Sequence, residues 1–193
     1  LITLVDSLSV AFQKLKERYR LSNVPLYIVD NSSDDESLND VICAQSDKFK
    51  ELPLEFHYIK GQGNIGYGSA HNLILDKLNS DFHLILNPDV IVDEEALVNA
   101  FAAIDRDNSV IAISPNALNM LGEKQHLCKR YPSIFTLFIR GFFPDRLKGL
   151  FAERLSAYEM RELSDTTESK EIELVSGCFM LLKTQVFQLV GGF

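Results

Sequence analysis

Three short apolar runs, each stopping on a polar or glycine corner, restrict this chain more than any other feature. Residues 24–29 run into Asp30-Asn31-Ser32-Ser33-Asp34-Asp35, residues 54–59 into the glycine-rich stretch 61–68, and residues 82–86 into Asn87-Pro88-Asp89. Apolar runs of this length read as buried strands, while the stretches between them carry helical spacing. Leu1, Leu4, Val5, Leu8, Phe12, Leu15 and Tyr19 mark an amphipathic helix ahead of the first run. Further helices are expected over 36–49, 69–78 and 94–104, the last capped by Asp93, and another strand over 110–114. This alternation predicts an α/β fold with a mainly parallel sheet flanked by helices. Open sheets of that kind collect ligands outside the carboxyl ends of their strands. Three strand ends are thus expected to aim polar groups at one edge.

After Pro115 the rhythm breaks. Residues 116–170 mix aromatic, basic and helical stretches without a clear strand, and an apolar run over 172–182 reads as a last strand containing Gly177. A chain of 193 residues that is 46% hydrophobic fits a single domain over 1–193. Gly191-Gly192-Phe193 looks like the approach to another element, so residues are expected beyond both ends. No run reaches the length of a membrane span and no leader pattern opens the chain. A net charge of −8 argues against a nucleic-acid binder, which needs a basic face. Cys43, Cys128 and Cys178 are odd in number and widely spaced, indicating neither a disulfide framework nor zinc and fitting a reducing cytoplasm.

Several constellations carry more than one reading. Gly61-Gln62-Gly63-Asn64-Ile65-Gly66 is a literal G-x-G-x-x-G between a strand and a helix, with Asp89 at the distance of a ribose-binding acid. That would make a nicotinamide-dependent oxidoreductase, although the motif follows the second strand instead of the first. Asp30 to Glu36 could be a solvated helix cap, or Asp30 could accept hydrogen bonds from a nucleobase or ribose. Asn87-Pro88-Asp89 could merely end a strand, or Asp89 could hold Mg²⁺ or Mn²⁺ with substrate phosphates completing the shell. His71 faces phosphate or simply opens a helix, and His57, His83 and His126 share no ligand spacing. From Lys129 to Arg154, six basic residues stand against two acidic ones and alternate with aromatics. That pattern suits an anionic membrane surface or lipid diphosphate, or else a hairpin with aromatics packed inward.

Taken together, Ile28-Val29-Asp30-Asn31-Ser32-Ser33-Asp34, Gly63-Asn64-Ile65-Gly66-Tyr67-Gly68-Ser69-Ala70-His71-Asn72, Leu86-Asn87-Pro88-Asp89-Val90 and Val175-Ser176-Gly177-Cys178-Phe179-Met180-Leu181 resemble glycosyltransferase family 2. The likeness covers nearly the whole chain and is nearest to bacterial rhamnosyltransferase-like members that build O-antigen or other surface polysaccharides. It implies a GT-A fold truncated at both ends, with a nucleotide-sugar-binding half over 1–115 and an acceptor-side half over 116–193. It further implies that Asp30 contacts the nucleobase or ribose, Asn64 and Gly66 shape the nucleotide pocket, and Asn72 lines the donor side. Asp89 would bind Mg²⁺ or Mn²⁺ at the diphosphate, with Asn87 where relatives carry an acid, and Gly177 would border the sugar. The general base of relatives follows the Gly-Gly-Phe segment, so none is assigned here, neither Asp165 nor Glu173. The implied activity is inverting transfer of rhamnose or another hexose from a nucleoside-diphosphate donor to a lipid-linked or polysaccharide acceptor. It would occur in the cytoplasm, peripheral to the inner face of the plasma membrane through residues 129–154. The oxidoreductase and a non-catalytic nucleotide-sugar-binding module are the alternatives.

Overall fold

Leu4, Val5, Leu8, Ala11, Phe12 and Leu15 fall along one stripe of helix α1 (Ile2–Arg18) and are all buried, as their three- and four-residue intervals require. A computed structural model describes residues 1–32, 54–144, 146, 149–161 and 171–193. Within them, two compact units form, one from Leu1–Ile113 with Leu181–Phe193 and one from Ser114–Met180.

In the first unit, β1 (Val24–Val29) and β2 (Leu54–Ile59) pair in parallel, in register from Val24 with Leu54 to Val29 with Ile59. The helix expected over 36–49 lies outside the described residues. The helix expected over 69–78 starts earlier and ends sooner: α2 covers Tyr67–Asn72, and a 3₁₀ turn follows over Leu75–Lys77. Gly66 starts the helix by adopting φ +85, and the Leu73 and Ile74 amides then bond three residues back, tightening the chain out of α geometry. Strand β3 (Phe82–Leu86) leads through the Asn87 corner to α3 (Ala96–Arg106). The Asp93 carboxylate accepts from the Glu95 amide ahead of that helix. Leu97 and Ile104 on α3 and Ile85 on β3 are essentially inaccessible, and Phe101 meets both Tyr19 and Phe82.

The expectation of a mainly parallel sheet is corrected here. Strand β4 is only Ala112–Ile113, and it pairs antiparallel with β9 (Phe179–Lys183), which lies between β3 and β4. A strand from the far end of the sequence therefore occupies the place that a simple crossover would have given to β4. Of the ladders whose direction is defined among the described residues, only β1 with β2 is parallel. After β9, α6 (Thr184–Val190) ends on Gly191 in the left-handed region, as helix C-termini often do.

The second unit contains strands within 116–170, where none was legible. β5 (Ala117–Leu118) and β6 (Lys124–Gln125) form a hairpin closed by Asn119, whose side-chain oxygen accepts from the Leu121 and Glu123 amides. β7 (Cys128–Lys129) pairs antiparallel with β8 (Leu174–Val175). The expected strand over 172–182 is thus two strands, parted by the turn containing Gly177. Helix α4 (Ile134–Phe142) is capped by the Ser133 hydroxyl accepting from the Thr136 amide, and α5 (Ala152–Tyr158) follows.

His83 on β3 stacks on Phe187 of α6 at 5.6 Å, and its Nε2 is buried without a hydrogen-bond partner among the described residues. Burial, aided by nearby His71, pushes its pKa down to about 4. As pH falls from the ordinary value of 6.5 toward 4, the unfolded chain takes up a proton that the folded chain refuses, so stability is lost across that window. The loss attributable to His83 is at most about 3 kcal/mol. His83→Phe should remove it, read as the difference between urea-unfolding free energies at neutral pH and at about pH 4.5. An equal acid loss in both proteins would assign the sensitivity elsewhere.

Candidate functional site

Parallel pairing puts the carboxyl ends of β1 and β2 at the same edge, and the two corners there are hydrogen-bonded to each other. Asp30 continues β1 with its amide donating to the Ile59 carbonyl at 2.8 Å. Its Oδ1 accepts from the Ser32 amide at 3.0 Å and the Ser32 hydroxyl at 2.6 Å, and its Oδ2 accepts from the Tyr58 hydroxyl at 2.6 Å. Gln62 closes the corner from the glycine loop, its Nε2 donating to the Asp30 carbonyl at 2.6 Å. Asp30 is only 8% exposed. The Ser32 and Tyr58 hydroxyls stabilise the ionised form and hold the carboxyl below its usual range, against the opposing effect of burial. The corner is therefore stabilised by the carboxylate above that range and loses this contribution as pH falls through the lowered value. An ionised carboxylate has about four acceptor sites, and among the described residues the contacts with Ser32 and Tyr58 occupy three of them.

A second set of bonds shapes the loop. Asn31 Oδ1 accepts from the Ile65 amide at 3.0 Å, while Asn64 Oδ1 accepts from the Gly66 amide at 3.1 Å and from Asn31 Nδ2 at 3.3 Å. Asn64 thus turns the chain back on itself just ahead of α2. The turn needs φ +85 at Gly66, a conformation that side-chain-bearing residues rarely adopt.

Asn72, on the last turn of α2, is committed differently. Its Nδ2 donates to the Phe193 carbonyl and its Oδ1 accepts from the Phe193 amide, both at 3.0 Å. Phe193 sits against Tyr67, His71 and Phe187 at centroid distances of 5.5 to 5.8 Å. Burial lowers the pKa of His71 in this cluster, which favours the neutral imidazole.

Asn87 and Asp89 stand at the end of β3. The Val90 amide donates to the Asn87 carbonyl at 3.4 Å, closing the turn, and the Val92 amide donates to Ser7 Oγ on α1 at 3.0 Å, fixing the segment behind it. Asp89 is exposed, and no hydrogen bond among the described residues engages its carboxylate. Nor does one link Asn87 or Asp89 to the clusters around Asp30 and Asn64. Among the described residues, no three His, Cys, Asp or Glu side chains gather as a metal cage. One exposed carboxylate beside an amide is a hard-oxygen set that suits Mg²⁺ or Mn²⁺ when phosphate oxygens complete the shell, and does not suit a resident ion.

Of the expected residues, Asp30, Asn64 and Gly66 belong to one bonded edge, Asn72 to the Phe193 clamp, and Asn87 with Asp89 to a separate corner. Tyr58, Gln62 and Asn31 were not singled out as site residues, and Tyr58 was discoverable. Residues paired across a sheet share a face, as do residues two apart, so Tyr58 beside Ile28 faces the same way as Asp30. Glu173 accepts from the Tyr131 amide at 2.6 Å, a structural commitment.

Comparison with known proteins adds identity to this geometry. The pattern described as Glycosyl transferase family 2 matches residues 5–187. The chain is similar to the low-salt glycan biosynthesis hexosyltransferase Agl10 of Haloferax volcanii, at 32% identity over 132 residues, covering 62% of this chain and 39% of that protein. It therefore spans about two-fifths of that relative's length. No solved structure matches.

Proposed function

The chain belongs to glycosyltransferase family 2, and from that premise we propose that it transfers a hexose from a nucleoside-diphosphate donor to a lipid-linked or polysaccharide acceptor in surface-glycan synthesis, with inversion. The observation that carries this reading is the bonded edge at the ends of β1 and β2. There, Asp30 offers its carboxylate to the nucleoside, and the Asn64–Gly66 turn offers a close backbone approach. Asn72 supports the donor side through Phe193. The hexosyltransferase relative supports a hexose donor. Rhamnose rests on the motif likeness alone, and an archaeal relative lends no support to a specifically bacterial O-antigen role.

Asp89, with Asn87 beside it, would hold a divalent cation delivered with the diphosphate. Such a cation would supply charge neutralisation for the departing diphosphate. Transfer also needs a base within hydrogen-bond reach of the acceptor hydroxyl, and no residue here is assigned that task.

Titration calorimetry with UDP and dTDP, each with and without Mn²⁺, tests the reading, with NAD as the contrast. Tight NAD binding without metal, and none of either diphosphate, would overturn it. Asp30→Ala should weaken nucleoside binding about tenfold even without metal, as loss of a charge-assisted hydrogen bond implies. Tyr58→Phe should weaken it less while raising the Asp30 carboxyl toward its ordinary range, followed by carboxyl NMR titration. An Asp30→Ala protein that binds nucleoside normally would remove Asp30 from the site. A donor screen on the longest natural form of the protein would then identify the sugar.

A further inference from the structure

We infer that the outward face of α4 docks onto an anionic lipid bilayer surface. At 100° per residue, Ile134, Leu137, Phe138, Gly141 and Phe142 share one arc of this helix with Phe135 at its margin. Ile134 is 88% exposed, Leu137 50%, Phe138 49% and Phe142 78%, whereas Thr136 and Ile139 on the opposite side are buried. A helix on a globular unit ordinarily turns polar residues outward. Here the outward arc has no polar side chain at all. Exposed Tyr131 lies three residues ahead of Ile134, and Phe135 and Phe143 both contact Phe151, beside exposed Leu150. Exposed apolar patches of this kind mark interaction sites.

The charge at its margin selects the partner. Arg154 is held over the Phe135 ring at 5.2 Å and donates to the Ser133 hydroxyl at 2.9 Å, which fixes a positive charge at the start of α4. Arg140 lies over the Tyr158 ring at 5.2 Å and donates to its hydroxyl, and exposed Arg146 follows the helix. Among the described residues no carboxylate forms an ion pair with Arg140, Arg146 or Arg154, in a chain whose net charge is −8. Cations beside an aromatic and aliphatic arc match anionic headgroups above acyl chains. The arc also lacks the side-chain donors and acceptors that would fix the register of a protein partner, which a bilayer does not require. Nine residues span about 14 Å, well short of a bilayer core, and no helix among the described residues is long and apolar enough to cross one. The helix would lie in the interfacial plane. This inference specifies the surface to which a lipid-linked acceptor would bring the chain, but its evidence is independent of the transfer reading.

Flotation of the full chain with vesicles of phosphatidylcholine, alone or mixed with phosphatidylglycerol, tests it without any sugar nucleotide. The protein should float with the anionic vesicles, less so at high salt, and weakly or not at all with the neutral ones. Arg140→Gln with Arg146→Gln should lower the partition coefficient by about fivefold per arginine. Ile134→Ser with Phe142→Ser should abolish flotation while leaving the thermal melt unchanged, since both positions are exposed. Binding indifferent to lipid charge and to these substitutions would overturn the proposal. So would the absence of flotation, including the case in which the same face mediates a protein assembly detected by sedimentation. Failure of nucleotide binding in calorimetry would leave the flotation result unaffected, so the two readings fail separately.

Discussion

Asp89→Ala is expected to reduce Mn²⁺-dependent binding of the nucleoside diphosphate by at least about 100-fold while leaving the metal-free affinity and the fold intact. The carboxylate is exposed and unbonded among the described residues, so its removal uncovers no buried partner and creates no cavity. Such surface changes usually alter stability by less than about 0.5 kcal/mol. The binding loss is large because this corner offers one acidic ligand, and the rest of the shell must come from phosphates and water. Asn87→Asp supplies the converse test, since a second carboxylate beside Asp89 should tighten Mn²⁺ dependence. Calorimetry on the two variants and the parent, with and without Mn²⁺, reads both effects. Unchanged Mn²⁺-dependent affinity in Asp89→Ala would remove this corner from the diphosphate site.

The same corner illustrates how much of the fold could be read from the chain. Strands β1, β2 and β3 were legible because each is an apolar run ended by residues that favour turns, and α1 because six buried positions keep strict helical spacing. The insertion of β9 beside β4 was not legible, since pairing between Ile113 and Leu181 leaves no mark in local periodicity. Nor were the two-residue strands β5, β6 and β7, which depend on the Asn119 turn and on cross-strand pairing instead of side-chain alternation. The candidate site divides along the same line. Asp30 is tied to the glycine loop through Gln62, and Asn64 with Gly66 to the first corner through Asn31, all within neighbouring corners, whereas the partner of Asn72 lies 121 residues away.

That distant pairing leads to the second large effect. Gly192 holds φ +84, and a Cβ there would overlap Asn72 Oδ1 and stand 2.8 Å from Cγ. Gly192→Ala must therefore bear a left-handed backbone penalty of about 1–2 kcal/mol and also displace the carboxamide, losing two hydrogen bonds worth about 1 kcal/mol each. Local stability of the clamp should fall by about 3 kcal/mol, measured by hydrogen exchange at the Phe193 amide. Asn72→Ala alone should cost about 2 kcal/mol by loss of the two bonds. The two substitutions should not add. With Asn72 already truncated, the alanine at 192 no longer meets the three nearest side-chain atoms and mainly its backbone penalty remains, so the double variant should lose about 2 kcal/mol less than the sum of the two single losses. Strict additivity would mean that the side chain of Asn72 is not what Gly192 must make room for, and that α2 and the Gly191-Gly192-Phe193 segment are joined mainly by the contacts of Phe193 with Tyr67, His71 and Phe187.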